Sequence, residues 1–203
     1  MTTKQKLTFS NIHTIMDANR IEQIVEEVMK QSAPIVKGPS NEVVMTNVTE
    51  KKGTVKRIAI GADHGGFPLK EALISFLKAK NYIVKDQGTF STDAVDYPDF
   101  AEKVARAVAS EDCDRGIMID SLGMASAMAA NKVRGIRAAM CYDLTTARSS
   151  REHNNANVLT LGGKLMDITL AGEIVSLWLT TDFTGGRHWP RVNKIMAIER
   201  NRR

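Results

Sequence analysis

The chain has 203 residues, a hydrophobic fraction of 43% and a formal net charge of +5, enough for one α/β domain of about 150 residues with its own core plus an appendage. Its basic balance suits anionic metabolites, but aromatics are only 5% and none interleave with Arg or Lys as a nucleic-acid stacking surface needs. No apolar run approaches the length of a membrane-spanning helix, and Cys113 and Cys141 lack the spacing of a zinc site or a disulfide framework, so nucleic acid, membrane and structural metal are not expected.

Residues 1–31 hold one amphipathic segment. Ile21, Ile24, Val25, Val28 and Met29 fall on a single helical stripe, and Asn19 with Glu22 forms a capping box. Residues 32–56 read as a linker, interrupted by Pro34, Gly38, Pro39, Ser40 and Gly53. A helix this short is marginal alone in water, so its apolar face should dock: on its own domain, on a sister subunit, or as a docking peptide on a larger assembly. The basic end Arg200-Asn201-Arg202-Arg203 reads as a solvated tail.

From Arg57 onward strands and helices alternate. Strands are predicted over 57–61, 82–86, 115–119, 138–141 and 158–161, and helices over 69–78, 100–109, 125–131, 144–151, 168–179 and 192–200. The pattern implies an α/β fold, a Rossmann-like parallel sheet with helices on both faces, over residues 57–203. Ligands in such sheets bind at the carboxyl ends of the strands, and the polar motifs are expected there or nearby.

Three of the four histidines lie in polar-glycine motifs: Asp63-His64-Gly65-Gly66, Arg151-Glu152-His153-Asn154 and Gly185-Gly186-Arg187-His188. Imidazole moves protons near neutral pH, and arginine beside it holds phosphate. Arg187 and Arg191 lie four apart and share a face of a helix or helix-like turn, a good phosphate clamp. Gly65 and Gly66 let backbone approach a ligand closely. Together these residues point to proton transfer on a small phosphorylated substrate.

Taken in order, Ile58 to Gly66, Val95-Asp96-Tyr97-Pro98-Asp99, Ala129 to Val133, Arg151 to Val158 and Gly185 to His188 resemble the ribose-5-phosphate isomerase B family, which includes the galactose-6-phosphate isomerase subunits. The resemblance implies an aldose–ketose isomerase that uses neither metal nor cofactor, opens the sugar ring and moves a proton between C2 and C1 through a cis-enediolate. It implies His153 for ring opening, Asn154 for the enediolate or hydroxyls, and Asp63 and His64 for hydroxyls and phosphate. Arg187, His188 and Arg191 would complete a site at a homodimer interface. Lys164, where some relatives carry arginine, and Arg137 are further candidates for the anionic end, and Tyr97 for the sugar pocket.

The loop after the third strand departs from that family. Many members carry a Cys-Gly-Thr-Gly-type loop with cysteine as the base, and others a glutamate at the position of Ser126. This chain reads Asp120-Ser121-Leu122-Gly123-Met124-Ala125-Ser126, which leaves Asp120 as the expected base and Gly123 in the substrate cradle. A carboxylate can abstract a proton alpha to a carbonyl but is a weak base unless burial desolvates it. Ribose 5-phosphate is the expected substrate. The altered loop leaves open another sugar phosphate, or a non-catalytic sugar-phosphate-binding subunit that needs a cysteine-bearing partner.

Residues 16–29 resemble the encapsulation peptides that carry enzymes into bacterial microcompartments: a short amphipathic helix on a Pro/Gly linker. That resemblance implies shell or cargo proteins as partners through residues 16–31, in a cytoplasmic protein sequestered in such a compartment. The chain start lacks the layout of a secretory signal.

Overall fold

The structure, a computed structural model, describes residues 55–201. The amphipathic segment expected within residues 1–31, with its capping box, and the linker up to residue 54 lie outside them. Five strands form one parallel sheet: β1 (Arg57–Ala62), β2 (Ile83–Asp86), β3 (Arg115–Asp120), β4 (Ala138–Met140) and β5 (Val158–Gly162), in the order β2-β1-β3-β5-β4. Six α-helices connect and follow them: α1 (Phe67–Ala79), α2 (Tyr97–Ala109), α3 (Met124–Ala130), α4 (Leu144–Glu152), α5 (Ile168–Thr180) and α6 (Trp189–Arg200), with a 3-10 turn over Gly186–His188. Among the described residues no helix is long and apolar enough to cross a membrane.

Alternation along the strands sorts side chains to two faces. Ile58, Ile60, Ile117, Ile119, Leu159 and Leu161 pack with Leu69, Leu73 and Leu77 of α1 and Ile174, Val175 and Trp178 of α5. Ala59, Met118 and Val158 pack with Val104, Ala105 and Val108 of α2. Glycines on that second face bring α2 close: a Cβ on Gly61 or Gly116 would lie 2.8 Å from a Val104 methyl. Prolines at the first turns of α1, α2 and α6 suit positions where no intrahelical N–H is needed.

Helix starts are earlier than the apolar pattern indicates. α2 begins at Tyr97 rather than near residue 100, and α6 at Trp189 rather than near 192, because their first turns are polar or proline-bearing and carry little periodicity.

The chain runs from β1 outward to β2, then crosses back to β3 on the other side of β1. The sheet therefore has a switch point between β1 and β3, and the crevice outside their carboxyl ends is where such sheets take ligands. Lys70 stiffens one wall of it. This lysine is fully buried, pairs at 2.6 Å with both Glu71 and Asp86, and lies near the rings of Phe67 and Phe90. Asp86 accepts from the Gly88 amide, and Gly88 and Thr89 bond to Ala62 at the end of β1.

Candidate active site

The sequence-derived residues gather in two clusters. The first stands at the carboxyl ends of β1, β3 and β5. Asp63 follows β1, Asp120 closes β3, and the register that pairs Ala62 with Ile119 sets the two aspartates side by side. The His64 Nδ1 accepts from the Val95 amide at 3.3 Å, which puts the neutral ring's proton on Nε2 as a donor. Tyr97 stands two residues beyond Val95, partly exposed at the start of α2. Lys164 is exposed in the turn after β5, and its amide donates to the Ser121 carbonyl.

Asp120 organises this cluster. Its Oδ1 accepts from the Leu122 and Gly123 amides, and its Oδ2 from the Ser126 amide at 2.9 Å. With the residue 4% exposed, three of the carboxylate's roughly four acceptor sites are taken by amides of the loop it belongs to. A base needs an oxygen open to the substrate's C–H, and this carboxylate has little acceptor capacity left for that part. Gly123 has φ +85, a left-handed conformation that disfavours side chains, and a Cβ there would meet the Leu161 carbonyl carbon at 2.9 Å. The Gly123 carbonyl accepts from the Thr160 hydroxyl at 2.7 Å. Cys141 offers no substitute: it is buried, its thiol contacts Ser150, and burial pushes its pKa up to about 11.

The second cluster lies at the opposite, amino end of the strands. His153 ends α4, which runs back from the carboxyl edge, and Asn154 follows it toward the start of β5. An αβ connection returns the chain to the amino edge before the next strand starts, so this motif stands away from the residues that follow the strands. Arg151 anchors the turn, donating to Asn155 Oδ1, the Ala156 carbonyl and the Thr181 carbonyl. His153 and His188 stack with centroids 4.3 Å apart and planes within 10°. Ser149 Oγ pairs with His153 Nδ1 at 3.1 Å. Arg187 Nε donates to His188 Nε2 at 3.4 Å, and Arg187 and Arg191 are both exposed beside the stack.

Arg137 is engaged by the protein's own backbone. Its guanidinium donates to the Asn155 and Gly135 carbonyls, fastening the entry to β4. One supporting residue went unnoticed in the sequence, Lys70, although it carried a signal, a lysine inside the apolar stripe of α1. Ser121 was visible in the altered loop, but its position against Gly65 depends on how two loops meet.

The two clusters are separated by the length of the sheet, about 16 Å for a five-residue strand at roughly 3.3 Å per residue. One protomer therefore cannot close both around a single sugar phosphate.

Comparison with known proteins bears on this arrangement. Residues 58–195 match the family model described as Ribose/Galactose Isomerase. The chain is 44% identical over 148 residues to ribose-5-phosphate isomerase B of Escherichia coli, covering 73% of this chain and 99% of that protein. It is 39% identical over 143 residues to a D-erythrulose-4-phosphate isomerase of Pectobacterium atrosepticum, covering 70% of this chain and 94% of that one. The solved structure of Clostridium thermocellum ribose-5-phosphate isomerase B superposes with a TM-score of 0.70 at 53% identity, covering 71% of this chain and 97% of that chain.

The stacked histidines predict a pH dependence of stability. Burial, then His153, Arg187 and Arg191, pull the His188 pKa below its ordinary 6.5. The unfolded chain then binds the proton more readily, so His188 contributes its full stability above pH 6.5 and loses it as pH falls toward the depressed value. Urea melts of wild type and His188→Gln between pH 8 and 5 should show the stability difference changing in favour of the variant as pH drops. A difference constant across that range would contradict the assignment.

Proposed function

The chain belongs to the ribose/galactose isomerase family and is an aldose–ketose isomerase of a sugar phosphate, and from that premise we propose that it interconverts ribose 5-phosphate and ribulose 5-phosphate in sites shared by two copies of the chain. The observation that carries the shared site is the placement of the two clusters at opposite edges of one sheet. A second copy related by a two-fold axis can bring its amino-edge cluster to the first copy's carboxyl-edge cluster, and the symmetry builds two equal sites.

In this reading the imidazole of His153 relays the proton of the anomeric hydroxyl and opens the ring. The Ser149 hydroxyl on Nδ1 leaves Nε2 to face the substrate. Stacking on His188 fixes the plane of that ring. Arg187 and Arg191, with His64 and Lys164 from the facing copy, neutralise the phosphate. Asn154, Tyr97 and the Ser121–Gly123 turn line the sugar, and backbone amides near Gly123 stabilise the enediolate oxygen.

A second reading within the same class is a four-carbon substrate. The Pectobacterium relative is named for such a sugar phosphate, and Leu122 puts an exposed apolar side chain on the loop that faces C1 and C2. We also propose that residues 16–31 direct the enzyme to a microcompartment shell. The extension precedes residue 58, where the family match begins, and the E. coli relative is matched over 99% of its length without needing it. Residues 1–56 fused to a fluorescent protein should collect in shell particles when co-expressed with them, and diffuse fluorescence would contradict the targeting role.

The substrate is tested by incubating the full chain with ribose 5-phosphate in deuterated water and following products by NMR. The expected result is ribulose 5-phosphate with deuterium entering from solvent. Neither product nor exchange with ribose 5-phosphate, but both with erythrose 4-phosphate, would select the four-carbon reading.

A further inference from the structure

The isomerisation needs one group that removes a proton from C2 and returns it to C1. Two aspartates stand at the carboxyl ends of neighbouring strands at the switch point, Asp120 closing β3 and Asp63 one residue past β1. They are employed differently. Asp120 spends both oxygens on three backbone amides of its own loop. Asp63 accepts one such bond, from the Gly66 amide to Oδ1 at 2.9 Å, and among the described residues nothing donates to its Oδ2.

Asp63 is also held firmly. Its amide donates to the Ile119 carbonyl at 3.1 Å and its carbonyl accepts from Gly66 at 3.2 Å, so the side chain leaves a fixed backbone. The residue is 6% exposed, which limits competition from water. Space is made for it by glycine: a Cβ on Gly65 would lie 2.4 Å from Ser121 Oγ and 3.3 Å from Asp63 Oδ1. The Asp63 carboxylate and the Ser121 hydroxyl thus both border the space that a side chain at position 65 would fill.

We infer that Asp63 is the catalytic base that carries the proton between C2 and C1, and that Asp120 is a positioning residue that shapes the loop opposite it. The assignment rests on the isomerase reading. Asp63 Oδ2 takes the C2 proton, the C–H electron pair becomes the C1=C2 bond, and the carbonyl pair moves to O1, which gains a proton. In the second half O2 gives up its proton as C2=O2 forms, and the carboxylic acid returns its proton to C1. O1 gains what O2 loses, so atoms and electrons balance with no oxidant or reductant.

The test uses the full chain with Asp63→Asn, Asp63→Glu and Asp120→Asn. Each is assayed for ribose 5-phosphate turnover, for solvent deuterium exchange at carbon, and for calorimetric binding of ribitol 5-phosphate, which has no carbonyl to isomerise. Asp63→Asn should lose turnover and exchange together by about 10³-fold, with ribitol 5-phosphate affinity within severalfold of wild type. Asp63→Glu, which keeps a carboxylate, should recover part of the exchange. Asp120→Asn, which sets an amide N–H against backbone N–H groups, should melt earlier and bind ribitol 5-phosphate more weakly, while its exchange at saturation falls less than that of Asp63→Asn.

Exchange retained within tenfold in Asp63→Asn would overturn the assignment. So would loss of ribitol 5-phosphate binding in parallel with turnover, which would make Asp63 a substrate-holding group. Asp120→Asn that binds and melts like wild type but has lost exchange would return the base role to Asp120. Wild type inactive on every aldose phosphate from three to six carbons would overturn the isomerase reading itself, a result separate from all of these.

Discussion

In a parallel sheet every strand starts at one edge and ends at the other, and the helix that follows carries the chain back. That constraint divides the chemistry of this protein in two. Residues that follow strands, Asp63 and Asp120, stand at the carboxyl edge, and residues that end helices, such as His153, stand at the amino edge. One edge has carboxylates and a glycine-lined loop, the other a histidine stack and two exposed arginines. In the function proposed above, pairing of two copies is what brings these halves together.

Within the carboxyl edge, hydrogen bonding decides what each acid can do. Three amides converge on Asp120 and make it part of the backbone's own network, the use to which buried carboxylates at loop starts are commonly put. Asp63 receives one amide and keeps an oxygen in reserve. The loop's left-handed Gly123, its carbonyl held by Thr160, depends on the Asp120 clamp for its shape. A change at Asp120 therefore alters the loop first and the chemistry through it. At the other edge, burial, with the stacked His153 and two guanidiniums beside it, makes protonation of His188 unfavourable.

Much of this was legible in the chain. The strand–helix alternation indicated each strand and α-helix of the described domain, because buried parallel strands such as Ile58–Ile60 and Ile117–Ile119 are short apolar runs that end at polar turns. His64, His153, Arg187 and Arg191 were singled out from short polar motifs and from the resemblance to the isomerase family those motifs carry. What sequence could not supply was partnership. Arg137 looked like an anion ligand, yet backbone carbonyls of Gly135 and Asn155 claim it. Asp120 was singled out as the lone acid of its loop, and only the fold reveals that the loop's amides close on it. Asp63 sat in a recognised motif, but its unspent oxygen is a property of the Gly66 turn rather than of any residue type.

Subunit complementation tests most directly whether each site is built from the carboxyl edge of one copy and the amino edge of another. One protein carries Asp63→Asn with His64→Ala, the other His153→Gln, and the two are unfolded together in equal amounts and refolded. Separately both should be inactive. After mixing, half of the dimers pair one of each and hold one intact site of two, so the account predicts recovery of about a quarter of wild-type turnover. A mixture that stays inactive while forming mixed dimers would place the whole site within one protomer and contradict the account.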